Sequence, residues 1–153
     1  MKIKNYTSSI PVENTIWKIE QALIRAGAIG IAKQYGPTGK IQCLVFHLPF
    51  DPQKLPVTVK LPANVDKIKE IFWKEYCSKR SHRGTKTDAD FQEQAERTAW
   101  KLQLDWVEVQ LALIQMRQLS KVQAFMAYAW DGQRTLYERI EADKFTALLP
   151  QTV

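Results

Sequence analysis

The segment from Thr87 to Arg117 constrains this chain more than any other, because it carries apolar residues at helical spacing on two sides at once. Phe91, Ala95, Thr98, Leu102, Trp106, Val109, Leu113 and Met116 recur three or four residues apart, so they share one stripe of a helix that turns about 100° per residue. Trp100, Leu104, Val107, Leu111 and Ile114 form a second stripe near the opposite side. Polar strips separate the two, with Arg97, Lys101 and Glu108 on one flank and Gln103 and Gln110 on the other. Thr87 is placed to open the helix, and Asp88 and Asp90 in its first turn suit the positive end of the backbone dipole. A helix that is apolar on two opposed sides must bury both, and one small sheet covers only one. Either the C-terminal segments fold over the second stripe or an identical helix from another chain does. Closed two-fold pairs are the commonest soluble assemblies, so the expectation is a homodimer or a higher symmetric oligomer.

The rest of the chain reads as α+β, in the order N-terminal strand, helix, antiparallel strands, the long helix and then shorter helices. Met1 to Thr7 alternates apolar and polar residues as a half-buried opening strand does. Pro11 stands where a first helical residue belongs, and Val12, Ile16, Ile19, Leu23 and Ala26 follow on one stripe until Gly27 stops the helix. Ile29 to Tyr35, Lys40 to Leu48 and Leu55 to Leu61 read as three strands, the first two joined as a hairpin through Gly36 to Gly39. In the second strand both faces are apolar enough to be covered, which makes His47 a half-buried, satisfied side chain rather than a ligand. Pro56 and Pro62 bracket the third strand and suit an edge. Asn64 is a good cap for a helix through Cys77 with Val65, Ile68, Phe72 and Tyr76 inward, and Ser120 for a short one through Ala129. Asp131 and Gly132 mark a turn before a helical tail. A length of 153 residues predicts one domain, 1–153, mostly sheet with one helix over 1–62 and mostly helical over 63–153.

Function classes narrow by what the chain lacks. No GxSxG, HExxH, phosphate loop or GxGxxG is present, and two histidines leave little for acid/base work, so no enzyme, cofactor or metal is expected. Cys43 and Cys77 lie far apart without CxxC spacing, which fits reduced thiols in a cytoplasm. Met1 to Thr7 lacks the apolar core of a secretory signal, so export is not expected. The longest apolar runs fall far short of the roughly 20 residues of a membrane span, so no membrane partner is expected. A net charge of +6 favours an anionic partner, with nucleic acid among the alternatives.

Two sets of side chains fit such a partner. Lys79, Arg80, Arg83 and Lys86 lie in a stretch without apolar residues, and the long helix interleaves Arg97 and Lys101 with Trp100 and Trp106. Arginine forks suit phosphate oxygens and indole faces suit bases. The expected ligand residues are therefore Arg83, Arg97, Trp100, Lys101, Trp106, Gln110 and Arg117, with Arg97, Lys101 and Gln110 beside buried aromatic groups at the rim of a dimer interface where both chains enclose a small anion. The plain alternatives are a solvated basic loop and tryptophans that are core. Trp100 and Trp106 lie about 120° apart around the helix and do not share a flat platform.

Met1 to Thr7, the Gly27-Ala28 pair, the Tyr35/Gly39 spacing, Arg97-x-x-Trp100-Lys101, Asp105-Trp106-Val107-Glu108-x-Gln110 and Thr135-Leu136-Tyr137-Glu138 together resemble a family of small proteins carried by phages and prophages. In size, layout and expected oligomer the chain is also similar to Thoeris anti-defence proteins, phage-encoded sponges for cyclic ADP-ribose-type immune signals and, in some members, cyclic oligonucleotides. That resemblance implies a non-catalytic nucleotide binder and leaves the site to the residues above. A single-stranded nucleic-acid binder using the basic loop and an exposed sheet face is the alternative, and an inhibitor that blocks another protein is a third.

Overall fold

The computed structural model describes residues 2–79 and 84–152. Its elements, in chain order, are α1 (Val12–Arg25), β1 (Gly30–Tyr35), β2 (Ile41–Leu48), β3 (Val57–Pro62), α2 (Val65–Ser78), a 3-10 turn (Asp88–Phe91) running into α3 (Gln92–Gln115), α4 (Lys121–Phe125) and α5 (Leu136–Ala142). Helices and an antiparallel sheet segregate along the chain, which makes the fold α+β. Among the described residues no helix is long and apolar enough to cross a membrane. The chain divides into two compact units, Met1–Leu23 with Ala63–Val109 and Ile24–Pro62 with Gln110–Val153. The boundaries fall inside α1, between Pro62 and Ala63 where the strands give way to helices, and inside α3.

The second unit holds the sheet, ordered β1-β2-β3 and antiparallel throughout. Leu44, Phe46 and Leu48 from one face of β2 are buried with Val59 and Leu61, and Phe46 meets Phe125 of α4 edge-on at 5.5 Å between ring centres. Cys43 and Val45 on the other face are buried too, so most of β2 is covered on both sides. His47 is not. It pairs with Gly30 in β1 and Thr58 in β3, and its ring lies over the bare backbone of Gly30. With no side chain at Gly30 to cover it, His47 is exposed rather than half-buried, and its Nδ1 bonds the Thr58 hydroxyl at 2.9 Å. β3 is the edge its prolines predicted, although a single bridge from Ala129 to Val59 and the Trp130 N–H on the Thr58 carbonyl (2.8 Å) cover part of it. Ser120 and Thr135 cap α4 and α5 by accepting the N–H of Gln123 and Glu138.

In the first unit, α1 buries Ile16, Ile19 and Leu23, the stripe its spacing predicted, and its first turn hangs on the Pro11 carbonyl. Ile68 and Phe72 of α2 pack with Ala95 and Ala99 of α3, and Ile3, Ala63, Val65, Phe91 and Leu102 close round them. Asn64 precedes α2 without a side-chain cap bond, because its backbone has left the extended conformation that a capping side chain needs.

The opening residues correct the sequence reading most. Residues 4–7 form a turn and not a strand, with Asn5 in the left-handed region at φ 64°. Asparagine is among the few residues that tolerate this backbone. Their carbonyls are satisfied by side chains of α3 instead of a neighbouring strand. Gln94 Nε2 donates to Tyr6 O (2.7 Å) and Ser8 O (3.1 Å), Arg97 Nε to Ser8 O (3.1 Å), and the Thr98 hydroxyl to Asn5 O (3.2 Å). Asp105 completes the clamp by accepting from Lys4 and, at 2.8 Å, from Asn5 Nδ2.

Candidate functional site

Three of the seven side chains expected to hold a ligand, Arg97, Trp100 and Lys101, have structural work within the chain. Arg97 is spread over Ser8 O, the Glu93 carboxylate at 2.5 Å and Gln94 Oε1 at 2.8 Å. Lys101 pairs with Asp105 at 3.2 Å. Trp100 is 1% exposed, so it is core and offers no face for a base to stack on. Trp106 and Gln110 are half-buried, Arg117 is exposed at φ 59°, and Arg83 lies outside the described residues, as do Arg80, Ser81 and His82. Gln110 and Arg117 belong to the second unit and the four α3 residues before them to the first.

The reason for expecting a second chain changes with this. Trp100, Leu104 and Val107, the first residues of the second stripe, are at most 2% exposed within one chain. Of the first stripe, Val109 and Met116 remain exposed, at 55% and 67%. A shared cleft is thus not needed to hide the second stripe where it begins.

A different group of residues does converge. A pocket of about 350 Å³ opens in the first unit. Three lysines, Lys2, Lys79 and Lys86, line it together with the rings of Tyr6, Phe72, Tyr76 and Phe91, and Glu75 and Gln94 complete the wall. Each element contributes for a local reason. Phe72, Glu75, Tyr76 and Lys79 recur at three- and four-residue steps, so the end of α2 presents them along one face. Phe91 and Gln94 come from the 3-10 turn and the start of α3. Thr87 fixes that start, its N–H donating to the Asp90 carboxylate at 2.7 Å. Lys2 and Tyr6 arrive on the N-terminal turn that the α3 clamp holds.

Two of the lysines rest on rings. Lys2 Nζ is 5.2 Å from the Tyr6 ring centre and Lys86 Nζ is 5.7 Å from that of Phe91. Tyr6, through a hydrogen bond and then its charge, raises the Lys2 pKa above its ordinary value, and Glu75 adds to the rise. Tyr76 stands 5.6 Å from Phe91 and 5.8 Å from Trp73 between ring centres. Its hydroxyl accepts the Lys86 N–H at 3.3 Å and meets the Thr85 hydroxyl at 3.2 Å. These bonds tie Thr85 and Lys86 to α2 and so hold Lys86 in the wall of the pocket.

No family model matches this chain, and neither does any curated protein or solved structure.

The pocket therefore stands on its own chemistry. Ammonium groups attract anions, ring faces accept a flat heterocycle or an apolar surface, and glutamate and glutamine supply a hydrogen-bond acceptor and a two-way amide. Lys79 and Lys86 belong to the basic cluster that the sequence singled out, and Phe72 and Tyr76 to the inward face predicted for α2. Lys2, Tyr6, Glu75, Phe91 and Gln94 were missed as site residues. Nothing local marks them, because they come together only when the N-terminal turn docks on α3.

Proposed function

We propose that this chain binds a small anionic ligand with a planar ring, a nucleotide by chemical class, in the pocket between α2, the start of α3 and the N-terminal turn, and holds it without converting it. The observation that carries the reading is the meeting of three lysines with four aromatic rings around about 350 Å³. That volume lies within the roughly 300–1,000 Å³ usual for small-molecule sites. The likeness to Thoeris anti-defence sponges supplies a purpose, namely sequestration of cyclic ADP-ribose-type signals or cyclic oligonucleotides in a host cytoplasm. Free Cys43 and Cys77 fit that reducing compartment. Since one chain lines the pocket, this reading no longer requires the homodimer, which remains a separate proposal about Val109 and Met116.

The test is incubation with ADP or cyclic ADP-ribose, removal of free ligand, heat denaturation and mass spectrometry of the supernatant. Intact ligand is expected, and Lys2→Glu with Lys86→Glu should weaken binding by about tenfold or more per lysine. A converted product would overturn the non-catalytic reading. Absence of small-ligand signal together with oligonucleotide retention that falls steeply with salt would favour the single-strand reading instead.

A further inference from the structure

The pocket contains one acidic side chain, and a site built only for a polyanion has no use for it. Glu75 lies on the α2 face that also carries Phe72, Tyr76 and Lys79. It is half-buried, and among the described residues its carboxylate oxygens accept no hydrogen bond, only the charge of Lys2 acting on them. Its neighbours in α2 show that an exposed glutamate need not be left so, since Glu70 pairs with Lys74 at 2.5 Å. Lys2 feels the Glu75 charge, but Lys2 and Lys86 place their ammonium groups over the rings of Tyr6 and Phe91 and not on the carboxylate oxygens. A carboxylate set beside the space a phosphate would enter repels it, and the arrangement becomes favourable when the ligand brings a donor to the carboxylate oxygens. On a nucleotide the donors best matched to a carboxylate's two acceptor oxygens are the vicinal hydroxyls of the ribose, the pairing that acidic residues make in dinucleotide sites.

We propose that Glu75 accepts hydrogen bonds from ribose hydroxyls of the bound nucleotide, so that the pocket selects ribonucleotides over deoxyribonucleotides. The inference rests on the nucleotide reading above. The lysines then hold the phosphates, the rings hold the base, and Glu75 reads the sugar between them. A deoxy ligand leaves the carboxylate desolvated against the sugar with nothing to accept from. The same feature discriminates against DNA.

Titration calorimetry of the full chain with ADP and with 2′,3′-dideoxy-ADP tests this. The wild-type protein should prefer ADP by about tenfold or more, the range expected when a charged acceptor loses its donor. Glu75→Ala should bring the two affinities together, chiefly by improving the dideoxy ligand as the repelling charge disappears. Glu75→Gln, which keeps one acceptor oxygen, should fall between, and circular dichroism should show all three proteins folded. Equal affinities in the wild type would overturn the role of Glu75 and leave the nucleotide site standing. A preference that survives Glu75→Ala would assign sugar recognition to another group. Failure of either nucleotide to bind would overturn the nucleotide reading and this inference with it.

Discussion

Replacing Asp105 by asparagine tests the clamp that delivers one side of the pocket. Burial by itself pushes the Asp105 carboxyl up, but hydrogen bonds from Lys4, Asn5 and Lys101, with the Lys101 charge, outweigh it and hold the pKa at about 2 against an ordinary 3.8. At about 1.4 kcal/mol per unit, ionised Asp105 contributes up to about 2 kcal/mol to stability. Its side chain is 23% exposed, so solvent screens the interaction only in part. Because the folded-state value lies below the unfolded one, the contribution is complete above pH 3.8 and is lost as pH falls towards about 2. Asp105→Asn should therefore lower the unfolding free energy at neutral pH by up to about 2 kcal/mol, or about 1 M in urea midpoint. The difference from wild type should shrink steadily below about pH 4. Ligand affinity should fall as well, since Lys2 and Tyr6 ride on the segment that Asp105 holds. Urea titrations of both proteins across this pH range provide the measurement. A difference that stays constant down to about pH 2.5 would refute the argument, because it would mean that the ionised carboxylate is not what the clamp stabilises.

The other expectations concern the long helix. Trp100→Ala should cost about 3–5 kcal/mol by opening a cavity at a site 1% exposed. Any folded fraction should keep its ligand affinity, and lost binding without lost stability would return Trp100 to the site. If the exposed Val109 and Met116 seat a second copy, the protein should sediment at twice the 17.7 kDa of one chain, and Met116→Glu should reduce it to that mass. A 17.7 kDa species for the wild type would remove the dimer while leaving the pocket, which one chain lines, untouched.

How far the residues speak for themselves depends on the range of the interaction. The stripe of α1, the left-handed Gly27 at φ 99°, the hairpin, the bracketed β3 and the cap at Ser120 follow from contacts made within a few residues. Period, φ restriction and side-chain capping act at that distance, so local sequence is sufficient to predict them. The opening turn shows where this ends. Ile3 between Lys2 and Lys4 alternates as a strand does, yet alternation only describes a backbone that needs partners and does not say which ones. Here the partners are Gln94, Arg97 and Thr98, some ninety positions later.

The same distance governs the site. That the chain carries lysines beside aromatic residues, and no motif for catalysis, is legible without coordinates. That Arg97 is committed to the Ser8 carbonyl, that Trp100 is interior, and that Lys2, Tyr6, Glu75 and Phe91 share one pocket were decided by tertiary contacts, whereas the Lys101–Asp105 pair is local to α3. Helical periodicity ranks faces as apolar or polar, but Trp100, Leu104 and Val107 of one stripe are buried in the fold while Val109 and Met116 of the other stay exposed. Which polar side chains remain available to a ligand is set by the hydrogen bonds that folding has already claimed.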